Sequence, residues 1–72
     1  MNVAIQIYYH TSDSSVLRRG NFPLKGKVAE KVAYDFWKWI KGEHDFHCEL
    51  EKVVCDGEDI TEKVAAMIRL YG

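Results

Sequence analysis

Residues 3–10, "VAIQIYYH", alternate strictly: Val3, Ile5, Ile7 and Tyr9 fall on one side of an extended chain, Ala4, Gln6, Tyr8 and His10 on the other. A strand with one apolar side needs neighbours to pair it and a layer to cover that side. The chain has 72 residues to supply both. A domain of this size buries only about 60% of the surface its unfolded form exposes, so residues 1–72 read as one small domain with a thin stability margin. The 47% hydrophobic content and the three Phe, two Trp and four Tyr suffice for a core and argue against disorder. No run approaches the roughly 18 consecutive apolar residues of a membrane helix. The segment "MNVAIQIYYH" has no basic stretch ahead of its apolar residues and no small-residue cleavage site, so it reads as a strand and not as a signal peptide. A cytoplasmic location is the default expectation.

After the polar loop "TSDSS", the segment "SVLRRGNFPLK" reads as a second strand or hairpin. Gly20-Asn21 offers a tight turn, and Pro23 confines its segment to a sheet edge because it gives the ladder no N–H. Residues 27–41, "KVAEKVAYDFWKWIK", predict a helix that Gly42 stops. At about 100° per residue, Val28, Ala29, Val32, Ala33, Phe36, Trp39 and Ile40 share a broad apolar face, with Glu30, Tyr34, Trp37 and Lys41 opposite. "FHCELEKVVC" predicts a strand whose phase breaks: Phe46, Cys48 and Leu50 have one parity, Val53 and Cys55 the other. Either Lys52 snorkels beside Val54, or a bulge near Glu51–Lys52 resets the alternation. Asp56-Gly57 makes a turn, and Asp59 and Glu62 are spaced as a capping box for a second helix with Ile60, Val64, Met67, Ile68 and Tyr71 as its buried stripe.

The order is β-β-α-β-α, an α+β domain. The most apolar strand belongs in the centre of a three-stranded, mainly antiparallel sheet of order 2-1-3, with both helices on one face. A single hairpin at the start makes the third strand antiparallel to the first, whereas an extra turn at Gly20-Asn21 makes it parallel. Either way the other sheet face is left for solvent, a second copy or a partner.

The stretch "HDFHC", His44 to Cys48, invites a metal reading, since on a helix His44, His47 and Cys48 would stand close enough to share zinc. An extended backbone after Gly42 instead sends His47 and Cys48 to opposite faces, and paired Cys-x-x-Cys spacing is absent. No metal and no cofactor is expected. Cys48 and Cys55, about 23 Å apart on an extended segment, are too far apart for a disulfide and read as reduced, packed thiols. "DGEDITE" places its glycine second, where a calcium loop wants it sixth. A cysteine on the core face is inert as a nucleophile, and no phosphate loop or hydrolase motif occurs. An enzyme is not expected.

Charge is uneven. Residues 1–40 hold six bases against three acids, residues 41–72 four against eight, for a net −1. Such asymmetry fits an anionic partner for the first half or a head-to-tail preference between copies. Two functional readings result. In the first, the chain is a small protein-interaction module that binds a protein partner or forms a homodimer, using an aromatic stripe of Tyr34 and Trp37 and the open sheet face with Tyr8, His10, Gln6 and His47. In the alternative, Arg18, Arg19, Lys25, Lys27 and Lys31 gather where the hairpin meets the first helix and contact nucleic acid. Glu49 and Glu51 on the open face and a sequence pI near 6.3 weigh against the alternative.

Overall fold

The computed structural model describes residues 2–43 and 48–71. The elements are β1 (Asn2–Thr11), β2 (Ser15–Pro23), α1 (Ala29–Gly42), β3 (Cys48–Cys55), β4 (Glu58–Asp59) and α2 (Thr61–Tyr71). They form an α+β domain whose sheet has the order β2-β1-β3-β4 with every pairing antiparallel. The expected 2-1-3 arrangement is present, with one short strand added. That strand exists because Asp56 (φ 51°) and Gly57 (φ 85°) both take left-handed backbone, the conformation of a two-residue hairpin turn. The turn folds the chain back on β3 before α2 begins.

β1 is paired along its length. On one side it meets β2 from Asn2↔Pro23 to His10↔Ser15. This register removes the proposed turn at Gly20-Asn21: Gly20 lies opposite Ile5 in continuous strand. The reversal occurs instead at Thr11–Ser14, where the Ser14 carbonyl accepts from the Thr11 N–H at 2.8 Å and Thr11 Oγ1 accepts from the N–H groups of Asp13 and Ser14. A strand as long as β1 is paired along the whole of β2, which a turn at Gly20 would forfeit. With a single hairpin, β3 runs antiparallel to β1.

The phase break in β3 is a bulge. Tyr8 lies opposite Lys52 and Tyr9 opposite Leu50, so Glu51 is the extra residue. Through that one insertion Cys48 and Leu50 share the core side with Val53 and Cys55. The Asp56 N–H donates to the Ala4 carbonyl, and the Ala4 N–H donates to Asp56 Oδ1, each at 2.9 Å, which ties the β3–β4 turn to the centre of the sheet.

The core joins Val3, Ile5, Ile7 and Tyr9 of β1, Cys48, Val53 and Cys55 of β3, Val32, Ala33, Phe36, Trp37 and Ile40 of α1, and Ile60 and Val64. Fully burying one large aliphatic side chain contributes about 1.5–3 kcal/mol, a large share of the total for so short a chain. α1 is turned by about 60° from the orientation its own pattern suggests. Tyr34 (5% exposed) and Trp37 (3%) are buried, while Val28 (58%) and Trp39 (56%) face outward. The expected exposed stripe of Tyr34 and Trp37 is therefore wrong. α1 is covered on two sides: the sheet takes one flank and α2 the next, and only the second helix explains why the buried arc extends to Tyr34. The Trp37 ring meets Tyr9 at 5.5 Å between centroids, and Tyr34 meets Tyr71 at 6.0 Å.

α2 buries less than expected. Ile60 and Val64 are buried and Ile68 packs against the core, but Tyr71 is 67% exposed. The capping box also differs: Asp59 Oδ1 accepts the Thr61 N–H at 2.9 Å in place of the Glu62 N–H, while Thr61 Oγ1 accepts the Val53 N–H at 2.9 Å. The helix start is thus used to satisfy β3 as well as α2.

Cys48 and Cys55 are both buried free thiols. Burial pushes the Cys55 thiol above its ordinary range, and the nearby carboxylates of Asp56, Glu58 and Glu30 add to the effect. Ellman's reagent at pH 8 is expected to titrate neither thiol rapidly in the folded chain and both in denaturant; fast native labelling at Cys55 would contradict this packing.

Candidate protein-interaction site

The β1–β2 register determines which side chains of β2 face the helices. Val16, Arg18, Gly20 and Phe22 lie opposite Tyr9, Ile7, Ile5 and Val3, all buried, so they share the core side. Leu17, Arg19 and Asn21 share the open side with Tyr8, Gln6 and Ala4. The helix α1 does not cover β2 completely. Between them lies an open groove of about 620 Å³. Its apolar wall is built from Phe22, Leu24, Val32, Phe36 and Trp39, with Gly20 in the strand beneath. Phe22 and Phe36 meet at 4.7 Å, and Phe36 stacks on Trp39 at 6.1 Å and 25°. A Cβ on Gly20 would lie 3.0 Å from the Phe22 ring, so the missing side chain is what lets that ring lie flat there.

Bases rim the groove. Arg18, Lys25 and Lys27 line it, and Arg19 borders it from a strand position whose side chain faces the open side, so the structure gathers three of the five basic residues singled out in the sequence at the groove. The Arg18 guanidinium lies 5.4 Å over the Trp39 ring and donates to Glu43 at 3.0 Å. The Glu43 hydrogen bond raises the Arg18 pKa further, so this arginine remains a cation. Lys25 (φ 51°) and Gly26 (φ 81°) form the left-handed turn that leads into α1. Lys31, the fifth base, is directed to Asp35 at 3.0 Å and lies 5.2 Å from the Tyr34 ring centre. Lys27 reaches the same carboxylate at 3.5 Å. Among the described residues Arg19 and Lys25 form no ion pair.

The free edge of β2 runs beside this groove. Backbone direction alternates along an antiparallel ladder. The Ala4 N–H and carbonyl point toward β3, and the Thr11 N–H points toward β2. Odd residues of β1 therefore bond to β2, and their partners Val16, Arg18, Gly20 and Phe22 use their backbone groups inward. The N–H and C=O groups of Leu17, Arg19 and Asn21 turn outward. Among the described residues no strand pairs with β2 on that side. Pro23 has the same parity, which is why a residue without an N–H fits there.

The opposite edge of the sheet is covered over residues 53–55. β4 is two residues long, the Val53 N–H is satisfied by Thr61 and its carbonyl by the Ile60 N–H, and the bulge at Glu51 twists the remainder.

The other predicted residues have different surroundings. Tyr34 and Trp37 belong to the seam between α1 and α2. Tyr8 lies half-buried on the open face, donates to Gln6 at 3.3 Å and has the Lys52 ammonium 5.9 Å from its ring centre. His10 lies between two carboxylates, with Glu51 Oε2 2.8 Å from Nδ1 and Glu49 Oε2 3.0 Å from Nε2. The open face is thus a lattice of opposite charges suited to water. Of "HDFHC", Cys48 is buried at the start of β3, and His44, Asp45, Phe46 and His47, with their suggested metal and open-face roles, lie outside the described residues. The groove residues Gly20, Phe22 and Trp39 were not singled out as a site from the sequence. Their signal was the alternation Val16, Arg18, Gly20, Phe22, which becomes visible only once Gly20-Asn21 is read as strand.

Two outcomes follow from this geometry. Trp39 is exposed and Trp37 buried, so Trp39→Phe is expected to remove most acrylamide-quenchable fluorescence, whereas Trp37→Phe leaves it; the reverse would invert the helix orientation. Burial alone would raise the Asp35 pKa, but Lys31 and Lys27 outweigh it and hold the carboxyl below its usual 3.8. Its stabilising contribution is present above that value and lost as pH falls through the lower folded pKa. Asp35→Asn is expected to flatten the acid limb of a urea-midpoint profile below about pH 4. Comparison of the chain with models of known families, with curated proteins and with solved structures found no match in any of the three.

Proposed function

We propose that this chain is a non-enzymatic protein-interaction module that takes up an extended segment of a partner as an added strand along β2. The observation that carries the reading is the outward set of backbone groups at Leu17, Arg19 and Asn21 beside an aromatic groove, on a sheet whose other edge is covered over residues 53–55. Strand addition draws affinity from main-chain hydrogen bonds and specificity from alternate side chains that enter adjacent pockets. Edge strands are commonly kept short, covered or marked with charge and proline; β2 is long and uncovered among the described residues and carries Arg19 and Pro23. A second copy can use the same edge: two β2 strands pairing about a two-fold axis make one continuous sheet and a homodimer. The buried free thiols Cys48 and Cys55 suit a reducing compartment, so we place the module in the cytoplasm.

The gathering of Arg18, Lys25 and Lys27 at the groove, with Arg19 on the adjoining face, supports a second reading, contact with nucleic acid. Binding of that kind is dominated by phosphate contacts and must weaken steeply as salt rises. Glu43 and Asp35 already engage two of the groove's bases, Arg18 and Lys27, and their neighbour Lys31, which favours the protein reading.

The test is selection from a library of displayed linear peptides on the full chain, followed by amide exchange. Enriched peptides are expected to slow exchange at Leu17, Arg19 and Asn21 and to lose binding to Leu17→Pro, which removes one outward N–H while leaving the β1 pairing intact. Sedimentation equilibrium of the same pair reports self-association, which Leu17→Pro is expected to weaken. Peptides that bind Leu17→Pro as well as the native chain, with unchanged exchange in β2, would sink the reading.

A further inference from the structure

Resting on that reading, the geometry points to the chemistry of the partner: we infer that β2 selects an acidic extended segment carrying one large apolar anchor, preferably aromatic, at the position that comes to lie opposite Gly20. A strand added to β2 hydrogen-bonds to Leu17, Arg19 and Asn21. The residues opposite Arg18, Gly20 and Phe22 are then the close, non-hydrogen-bonded pairs, with about 4.5 Å between Cα atoms. Their side chains project to the core side of the sheet. Gly20 contributes no side chain there and the Phe22 ring lies across the space it leaves, so the partner residue facing it comes to lie against Phe22 at the mouth of the groove, beside Phe36 and Trp39. Aromatic side chains prefer such walls, stacking or meeting edge to face.

The flanking positions face cations. The neighbours of the anchor project to the open side, where one of them lies beside Arg19, which has no ion pair among the described residues. The next residue out, on the groove side, comes beside Arg18, already bonded to Glu43, at one end, and the opposite end runs toward Lys25, which has no ion pair among the described residues. Opposite charges in cross-strand pairs stabilise and like charges directly opposed destabilise. The same rule disfavours a second copy in the two-fold register centred on Arg19, because it sets one Arg19 beside the other. An acidic segment of another protein is therefore the occupant that both charge and shape select.

The probe is a fluorescein-labelled nine-residue peptide with a central phenylalanine and two glutamates on either side, titrated with the full chain in anisotropy measurements. Saturable binding is expected, weakened about 30-fold by replacing the phenylalanine with alanine, the loss typical of a buried anchor. Gly20→Val, whose side chain pushes the Phe22 ring into the groove, is expected to do the same. Arg19→Glu should weaken the glutamate peptide and improve a variant with lysines beside the anchor. Thermal melts confirm that each variant folds, and Asn21→Pro serves beside Leu17→Pro as an independent block of the edge. If the lysine peptide binds the native chain as tightly as the glutamate peptide, and both are lost in Leu17→Pro, the strand-addition reading stands and the acidic preference falls. If both proline variants fold and bind the glutamate peptide undiminished, the strand-addition reading itself falls. A mixed single-stranded oligonucleotide that displaces the glutamate peptide at lower concentration than unlabelled peptide would overturn the inference in favour of nucleic acid.

Discussion

β1 is hydrogen-bonded on both sides and presents Val3, Ile5, Ile7 and Tyr9 to a single core, and every other element is placed by reference to it. Because side chains alternate with a period of two, a one-residue slip of either neighbour would turn its apolar set to water. This constraint is strong enough to require the bulge at Glu51, which keeps Cys48 and Leu50 in phase with Val53 and Cys55. It also keeps β2 extended through Gly20, where local turn chemistry alone would have allowed a reversal.

The two edges of the sheet then acquire different characters from the same central strand. Beyond β3 the chain returns at once through Asp56-Gly57, and the start of α2 satisfies Val53, so that edge has little left to offer. Beyond β2 no strand returns among the described residues. The helix α1 leans toward α2 to bury Tyr34 and Trp37, and in doing so it leaves the flank of β2 open as a groove. The aromatic wall, the rim of bases and the free backbone edge are thus consequences of one packing choice, the two-sided burial of α1.

That choice explains which parts of the site could be read in advance. The approach of Arg18, Lys25 and Lys27 was legible, because the strand after a hairpin and the turn before a helix bring those positions together in any arrangement of this order, whereas strand parity sends Arg19 to the other face. The assignment of Tyr34 and Trp37 to the surface failed because the helical pattern of α1 records how much of its circumference is apolar but not where its neighbours stand. Trp39 was drawn to the predicted core by the same reasoning and is instead the outer end of the Phe22–Phe36–Trp39 stack. His10 was legible as an open-face residue, yet its position between Glu49 and Glu51 depends on the bulge that brings both carboxylates to its ring.

By itself the sequence determined the order β-β-α-β-α, the central position of residues 3–9, the sheet-edge position of the segment with Pro23 and a break of phase in β3. These follow from local periodicity and backbone chemistry, which act over a few residues. Only the tertiary structure decided the rotation of α1, the added β4 and the groove beside Gly20. Those depend on which of several apolar surfaces meet, and that competition is resolved by burial across the whole chain and not by any segment alone.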